Sequence, residues 1–429
     1  MLSRRPILAL SAALLTVPAA RAADAVVIAE PEPMEYVRIC DTYGVGFYYI
    51  PGTETCLKVS GYMRFDAGVG AFGLTDLVDK KDWWDYQNGG PYNGWEDDLN
   101  DTYAVRTRFQ LRTDARQETE LGTLRGYAAI NFQSETYSYV PEVYSEPWEQ
   151  YQFSDTADFF QIEHAYIELA GFRVGKTDSL FSTFTGYGGG VINDDIIPYG
   201  PYGTNQIAFG WSSDSGLGVA VALETGDGDI IGPYIPAQYG QPNLYTIDSY
   251  MPHVTGGIGW EGAWGGVSAV AGYDSVWEQG AVKGRVDFYP TDRLALFAMA
   301  GWGSYDKNYV VPGEWFDPNI WEASVVKDSP NYYAPWGGSW AVWGGGSFIL
   351  TDKATINVQA SYDAMEDFAL VANVAYELVP NLTITPEVAY IDNFNDELPY
   401  DLNLYDAYDA RIPTKNWGFF VRAQMNFGG

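Results

Sequence analysis

Residues that usually carry covalent, acid–base or metal chemistry are few in this chain of 429 residues, and they are badly spaced for it. There are two histidines, His164 and His253, and each lies in a stretch of strand-like alternation, so neither a Ser–His pair nor a His-bound metal can be built around them. Asp97 and Asp98 are carboxylates of the kind glycoside hydrolysis uses. Adjacent positions on one acidic segment, however, carry no sign of the defined separation which that reaction needs. Gly226-Asp227-Gly228-Asp229 hints at calcium, yet it has neither a repeat nor a full set of oxygen ligands. No catalytic residue, metal site or cofactor motif is expected.

The N-terminus reads as an export signal: Arg4 and Arg5 precede an apolar run from Ile7 to Val17, followed by Ala20-Arg21-Ala22 as a small-residue cleavage site. Eleven apolar residues fall short of the ~20 a membrane helix needs, so residues 1–22 are expected to be removed. In an exported chain Cys40 and Cys56 are expected to form a disulfide, since no histidine or third cysteine lies near enough for a metal site. That bond would close residues 23–56 as a small periplasmic segment ahead of the first strand and contribute about 3 kcal/mol.

The charged residues show a different kind of order. In Leu57-Lys58-Val59-Ser60-Gly61-Tyr62-Met63-Arg64-Phe65-Asp66 the odd positions are apolar or small and the even ones polar or charged. From Tyr103 to Asp114 the same period sets Val105, Thr107, Phe109 and Leu111 against Arg106, Arg108, Gln110, Arg112 and Asp114. A period of two means a strand with one oily and one wet face.

Sixteen such strands can be placed, near 57–66, 103–114, 122–133, 159–169, 172–177, 205–212, 217–224 and 251–260. The second eight fall near 265–274, 281–288, 293–302, 338–348, 354–362, 368–377, 381–390 and 416–427. Short connections such as Ala170-Gly171 and Val379-Pro380-Asn381 alternate with long ones at 67–102, 134–158, 178–204, 225–250, 303–337 and 391–415. A soluble sandwich has no reason to alternate in this way. A barrel inserted into a membrane keeps the turns of one rim small.

The predicted fold is therefore all-β: a transmembrane antiparallel β-barrel of sixteen strands over residues 57–429, with long external loops. Composition agrees, with 47 Gly, 33 Tyr, 15 Trp and 21 Phe beside 56 acidic residues, the mixture that aromatic girdles around a polar lumen require. Loss of Arg4, Arg5 and Arg21 leaves 21 basic residues against 56 acidic ones, a net charge of −35, which argues against nucleic acid as a partner. The longest apolar runs, such as Leu294–Trp302, are too short for a membrane helix. A secreted glycan-binding β protein and an outer-membrane hydrolase remain the competing readings.

Several blocks resemble the alphaproteobacterial outer-membrane porin family. They include Tyr36–Asp41, Tyr49–Tyr62, Glu118–Leu124, Phe184–Tyr187, Val191–Asp195, Tyr250–Val254, Trp340–Gly345 and Leu378–Val388, scattered over nearly the whole mature chain. The terminal Gly428-Gly429 departs from that family's habit of ending on Phe. The resemblance implies a homotrimer in the lipid of the bacterial outer membrane, passing ions and small hydrophilic solutes by passive diffusion. It also implies that the third long loop, 178–204, folds into the lumen and brings Asp178, Asp194 and Asp195 to a constriction.

Facing that loop, Lys58, Arg64, Arg106, Arg108, Arg112, Arg125 and Lys176 are expected to point inward from the first five strands, seven of the 21 mature basic residues. An acidic loop opposite a basic wall would set a transverse field across the eyelet, with Arg106, Arg108 and Asp194 foremost. The acid-rich segment 67–102 (Asp76, Asp79, Asp82, Asp85, Glu96, Asp97, Asp98 and Asp101 against Lys80 and Lys81) predicts a mild preference for cations.

Overall fold

A computed structural model describes residues 38–91, 99–139, 152–226, 245–304, 309–311, 324–326, 331–394 and 416–428. The export signal (1–22), Glu96, Asp97, Asp98 and Asp227–Asp229 lie outside the described residues.

Sixteen long strands carry the fold. They are β1 (Cys56–Gly70), β2 (Ala104–Thr119), β3 (Gly122–Tyr139), β4 (Phe153–Leu169), β5 (Phe172–Asp178), β6 (Gly203–Ser212), β7 (Leu217–Glu224) and β8 (His253–Gly262). The chain continues through β9 (Gly265–Asp274), β10 (Gln279–Thr291), β11 (Leu294–Gly303), β12 (Trp340–Thr351), β13 (Ala354–Asp363), β14 (Asp367–Val379), β15 (Leu382–Asn393) and β16 (Asn416–Phe427). Each pairs antiparallel with the next, and β16 returns to β1 in register from Gly61↔Phe427 to Gly70↔Gly418. The sheet therefore closes with no free edge, which lets a β protein satisfy its backbone polar groups in lipid. Among the described residues no helix is long and apolar enough to cross a membrane.

The alternation read from the sequence sets the faces. On β1, Val59, Met63, Phe65 and Val69 are exposed outward while Tyr62 and Asp66 are buried inward. Outward aromatics form two belts, with Trp211, Trp264 and Tyr289 near the short-turn rim and Tyr273, Trp302, Trp340 and Trp417 near the other. Two belts flanking an apolar band are what two lipid–water interfaces select. The short turns fall at 120–121, 170–171, 213–216, 263–264, 292–293, 352–353 and 380–381. At 170–171 both Ala170 and Gly171 adopt positive φ (51° and 85°), the backbone of a two-residue hairpin whose twist matches its strands.

All sixteen predicted strands are present, but β1 to β4 are taller than the pattern indicated, at 15, 16, 18 and 17 residues against 10 in β6, β8 and β9. Their upper parts, such as Ser134-Glu135-Thr136-Tyr137-Ser138, have no oily face for a hydrophobic period to reveal. Cys40 and Cys56 form the expected disulfide (Cα–Cα 6.0 Å) and pack with Phe47. Cys56 is itself the first residue of β1, so the bond ties the segment around Cys40 to the short-turn end of the barrel.

A candidate pore and its constriction

Segment 179–202, between β5 and β6, runs inside the barrel. It opens with the one-turn helix α1 (Leu180–Thr183), started by Ser179, and is then pinned to the far wall. Lys283 on β10 donates to the Tyr199 carbonyl (2.5 Å), and Trp343 on β12 donates through Nε1 to the Ile197 carbonyl (2.8 Å). Gln359 on β13 accepts from Gly189 N (2.8 Å) and donates to the Asp194 carbonyl (2.6 Å). Glu387 on β15 accepts from Asn193 N (3.0 Å) and Asn193 Nδ2 (2.7 Å). A loop that leaves β5 and bonds to β10, β12, β13 and β15 spans the lumen. Gly188 and Gly189 permit the approach, since a Cβ there would come within 2.3 Å of Gln359 Oε1 and 2.5 Å of the Phe297 ring.

The three loop acids meet a tyrosine cluster. Asp178 accepts from the Tyr187 hydroxyl. Asp194 accepts from Gly188 N and the Tyr199 hydroxyl, both at 3.0 Å, and Asp195 from the Tyr202 hydroxyl at 3.1 Å. Burial, reinforced by the Asp195 charge, pushes the Asp194 carboxyl up to about 7 despite those donors. Asp195 alone of the three is exposed. Among the described residues none of the three forms an ion pair with the arginines opposite, so the structure gathers the acids without joining them to the basic wall.

The opposite wall is built from β16 and β1 to β5. Asp66 on β1 takes Arg106 of β2 (2.7 Å) and Arg422 of β16 (2.8 Å). Lower down, Asp114 takes Arg116 (2.8 Å) and Arg125 (2.9 Å), while Glu168 takes Arg125 (2.8 Å) and Arg173 (2.7 Å). Arg64, Arg108 and Arg112 instead donate to neutral amides, at Gln424 (2.8 Å), Gln133 (2.7 Å) and Gln110 respectively. Arg64 and Arg108 stand opposite each other in the β1–β2 register, and Arg64 lies over the Tyr62 ring at 4.3 Å. Among the described residues these three arginines have no salt-bridge partner, and they sit on neighbouring positions of this wall.

Two of the predicted basic residues take other places. Lys176 belongs to the outward face, because on β5 it keeps the parity of Phe172 and Val174 and is paired with Ala165 and Asn205. Lys58 has inward parity, but its ammonium donates to the Val45 carbonyl (3.2 Å) in the N-terminal segment at the short-turn end. Arg116, Arg173, Arg285 and Arg422 were not singled out from the sequence. For Arg422 the signal was available, since the outward stripe Trp417–Phe427 on β16 places it inward. Of the histidines, His164 faces the lumen against Thr177 (3.0 Å), and His253 is fully buried, bonded to the Tyr245 carbonyl and Ser275 N.

The side chains beneath the loop are covered, whereas the arginines of the opposite wall reach the lumen. Lys283, Phe297, Trp343, Gln359, Val371 and Glu387 are all at most 7% exposed, while Arg64, Arg106, Arg108, Arg112 and Arg125 keep intermediate exposure.

The chain is similar throughout to known proteins of this architecture. Residues 24–415 match the family model described as the porin subfamily. The chain is 39% identical over 425 residues to the porin Omp2a of Brucella melitensis biotype 1, and 40% identical over 419 residues to the porin Omp2b of Brucella neotomae; each match covers 97% of both chains. The crystal structure of the outer-membrane channel DcaP of Acinetobacter baumannii superposes with a TM-score of 0.54 at 15% identity, over 88% of this chain and 99% of that one, a likeness of fold. A closed sixteen-stranded barrel with a wet, arginine-lined lumen and full-length similarity to such proteins is an outer-membrane diffusion channel and not an enzyme: the chain belongs to the porin subfamily.

Proposed function

We propose that ions and small hydrophilic solutes cross between the arginine wall of β16 and β1–β5 and the inward loop 179–202. The eyelet is then bounded by Arg64, Arg108 and Arg112 on one bank and, on the other, by the loop carrying Asp194 and Asp195 together with Asp178 at the end of β5. Arg106 and Arg125 act as the paired frame of the same wall. The single observation carrying this reading is the contrast in exposure between the side chains packed under the loop and the arginine side chains opposite. Charges of opposite sign across a narrow, water-filled gap orient dipolar solutes and disfavour apolar ones stripped of water.

Selectivity in this reading is mildly cationic, because the acidic loops, including Asp76, Asp79, Asp82, Asp85 and Asp101, set the potential at the mouth. Residues 1–22 are the export signal, 23–56 the periplasmic segment and 57–429 the barrel. The channel stands in outer-membrane lipid as a homotrimer. Reversal potentials across an asymmetric KCl gradient test the eyelet. Replacing Arg64, Arg108 and Arg112 by Gln should shift the potential further toward cations, and an unchanged potential would remove these residues from the path.

A further inference from the structure

Segment 331–339, between β11 and β12, also turns into the barrel, beside loop 179–202. Tyr332 and Tyr333 are 0% exposed and Trp336 is 4% exposed. Two of these rings and Ala334 are each seated on a glycine of the wall. A Cβ on Gly272 of β9 would meet the Tyr333 ring at 2.5 Å, one on Gly301 of β11 would meet Trp336 at 2.7 Å, and one on Gly303 would meet the Ala334 Cβ at 2.5 Å. Glycines weaken strands, so their placement under these rings marks positions where a neighbour must come close.

Three polar groups of the segment also bond to carboxylates of the barrel, while Trp336 Nε1 is buried among apolar groups. Tyr332 N donates to Asp274 Oδ2 (2.8 Å) and Gly337 N to Asp363 Oδ2 (2.9 Å), both carboxylates on the inner wall. The Tyr333 hydroxyl donates to Glu224 Oε2 (3.0 Å) at the top of β7. The same buried Glu224 accepts from Ser179 Oγ and Leu180 N, both at 2.8 Å, where loop 179–202 begins. The Phe181 and Tyr333 rings lie 5.1 Å apart, and both loops share one apolar cluster with Met299 and Trp343.

We propose that residues 331–337 are a second constriction element, locked to the first through Glu224, and that the two together close the β7–β13 side of the lumen to solute. This rests on the channel reading above but adds to it: the size limit of the pore depends on a segment outside the third loop. Tyr333 and Trp336 are its anchoring side chains, and Gly272 and Gly301 their sockets.

Thiol labelling of the folded protein tests this apart from any measurement of transport, because the two native cysteines are tied up in a disulfide. Ala281→Cys places a thiol on β10 beneath the segment, where the wall is 2% exposed, and Glu135→Cys places one on the open wall of β3. A charged, water-soluble thiosulfonate should label Ala281→Cys at least ~10-fold more slowly. Adding Tyr333→Ala with Trp336→Ala should abolish the difference and raise unit conductance by roughly half, with larger sugars admitted in liposome swelling. Equal labelling of the two thiols in the otherwise native chain would overturn the proposal, whether or not the double variant folds. So would a folded double variant with native conductance and sieving. If the native protein carried no current while the labelling contrast held, the channel reading would fail and the packing inference would stand.

Discussion

Asp66 on the first barrel strand and Arg422 on the last meet at 2.8 Å, so the seam where the sheet closes on itself is stitched by a charge pair inside the lumen. The other oxygen of Asp66 holds Arg106, 2.7 Å away on the second strand. One carboxylate thus fixes three neighbouring strands, and it is 2% exposed.

Replacing Asp66 by Asn should therefore do two things. Two part-buried guanidinium groups lose their counter-charge, which should cost about 2 kcal/mol and lower the temperature at which the folded band converts to the unfolded band in gel electrophoresis. The same change adds net positive charge to the wall, so chloride permeability should rise in the same preparation. A variant as heat-resistant and as selective as the native chain would show that Asp66 neither braces the seam nor shapes the field.

Glu387 anchors the tip of the inward loop through Ile192 N, Asn193 N and Asn193 Nδ2, and through Asn373 Nδ2 on β14. Glu387→Ala should free that tip while leaving the barrel ladder intact. Open-channel current noise should increase, with a loss in overall stability of only about 1–3 kcal/mol. Quiet, native-like current steps would indicate that the other anchors on β10, β12 and β13 suffice.

Asp194 supplies a pH dependence. Its folded pKa of about 7 lies above the ordinary carboxyl value, so the packed loop binds the proton more tightly than an open one. The stability linked to it is fully present below the ordinary aspartate range, declines as pH rises toward 7, and is lost above that. Lowering pH from 8 to 5 should quiet the channel and weaken any cation preference, because one negative charge leaves the constriction. Asp194→Asn should flatten the response. A native response retained by Asp194→Asn would assign the titration elsewhere.

The disulfide should be worth about 3 kcal/mol, since it closes a short loop against the start of β1. Cys40→Ser with Cys56→Ser should lower the thermal transition while leaving unit conductance unaltered, as no described lumen arginine bonds to either cysteine. A changed conductance would mean that the N-terminal segment reaches the pore.

Much of this architecture was legible because the period of two is a direct consequence of one wet and one oily face. From Leu57 to Asp66 the sequence alone gives both the strand and the side from which Arg64 points inward. The same rule, applied from Phe172 and Val174, places Lys176 outward, where inward placement had been expected. What pairing does to a charge was not legible. Arg106 and Arg108 are equivalent by parity, yet Arg106 is neutralised by Asp66 and Arg108 is left on Gln133, a difference decided by cross-strand register. The inward turn of 331–339 was hidden for a similar reason. Gly272 and Gly301 read as strand weakeners until the rings seated on them are seen.

The central claim is a continuous water column along the arginine wall, and planar-bilayer recording of the purified protein tests it most directly. The account predicts discrete, nearly ohmic current steps, with a reversal potential in a KCl gradient that favours cations weakly. A folded, membrane-inserted barrel that carries no current, or a clear preference for anions in the native chain, would contradict it.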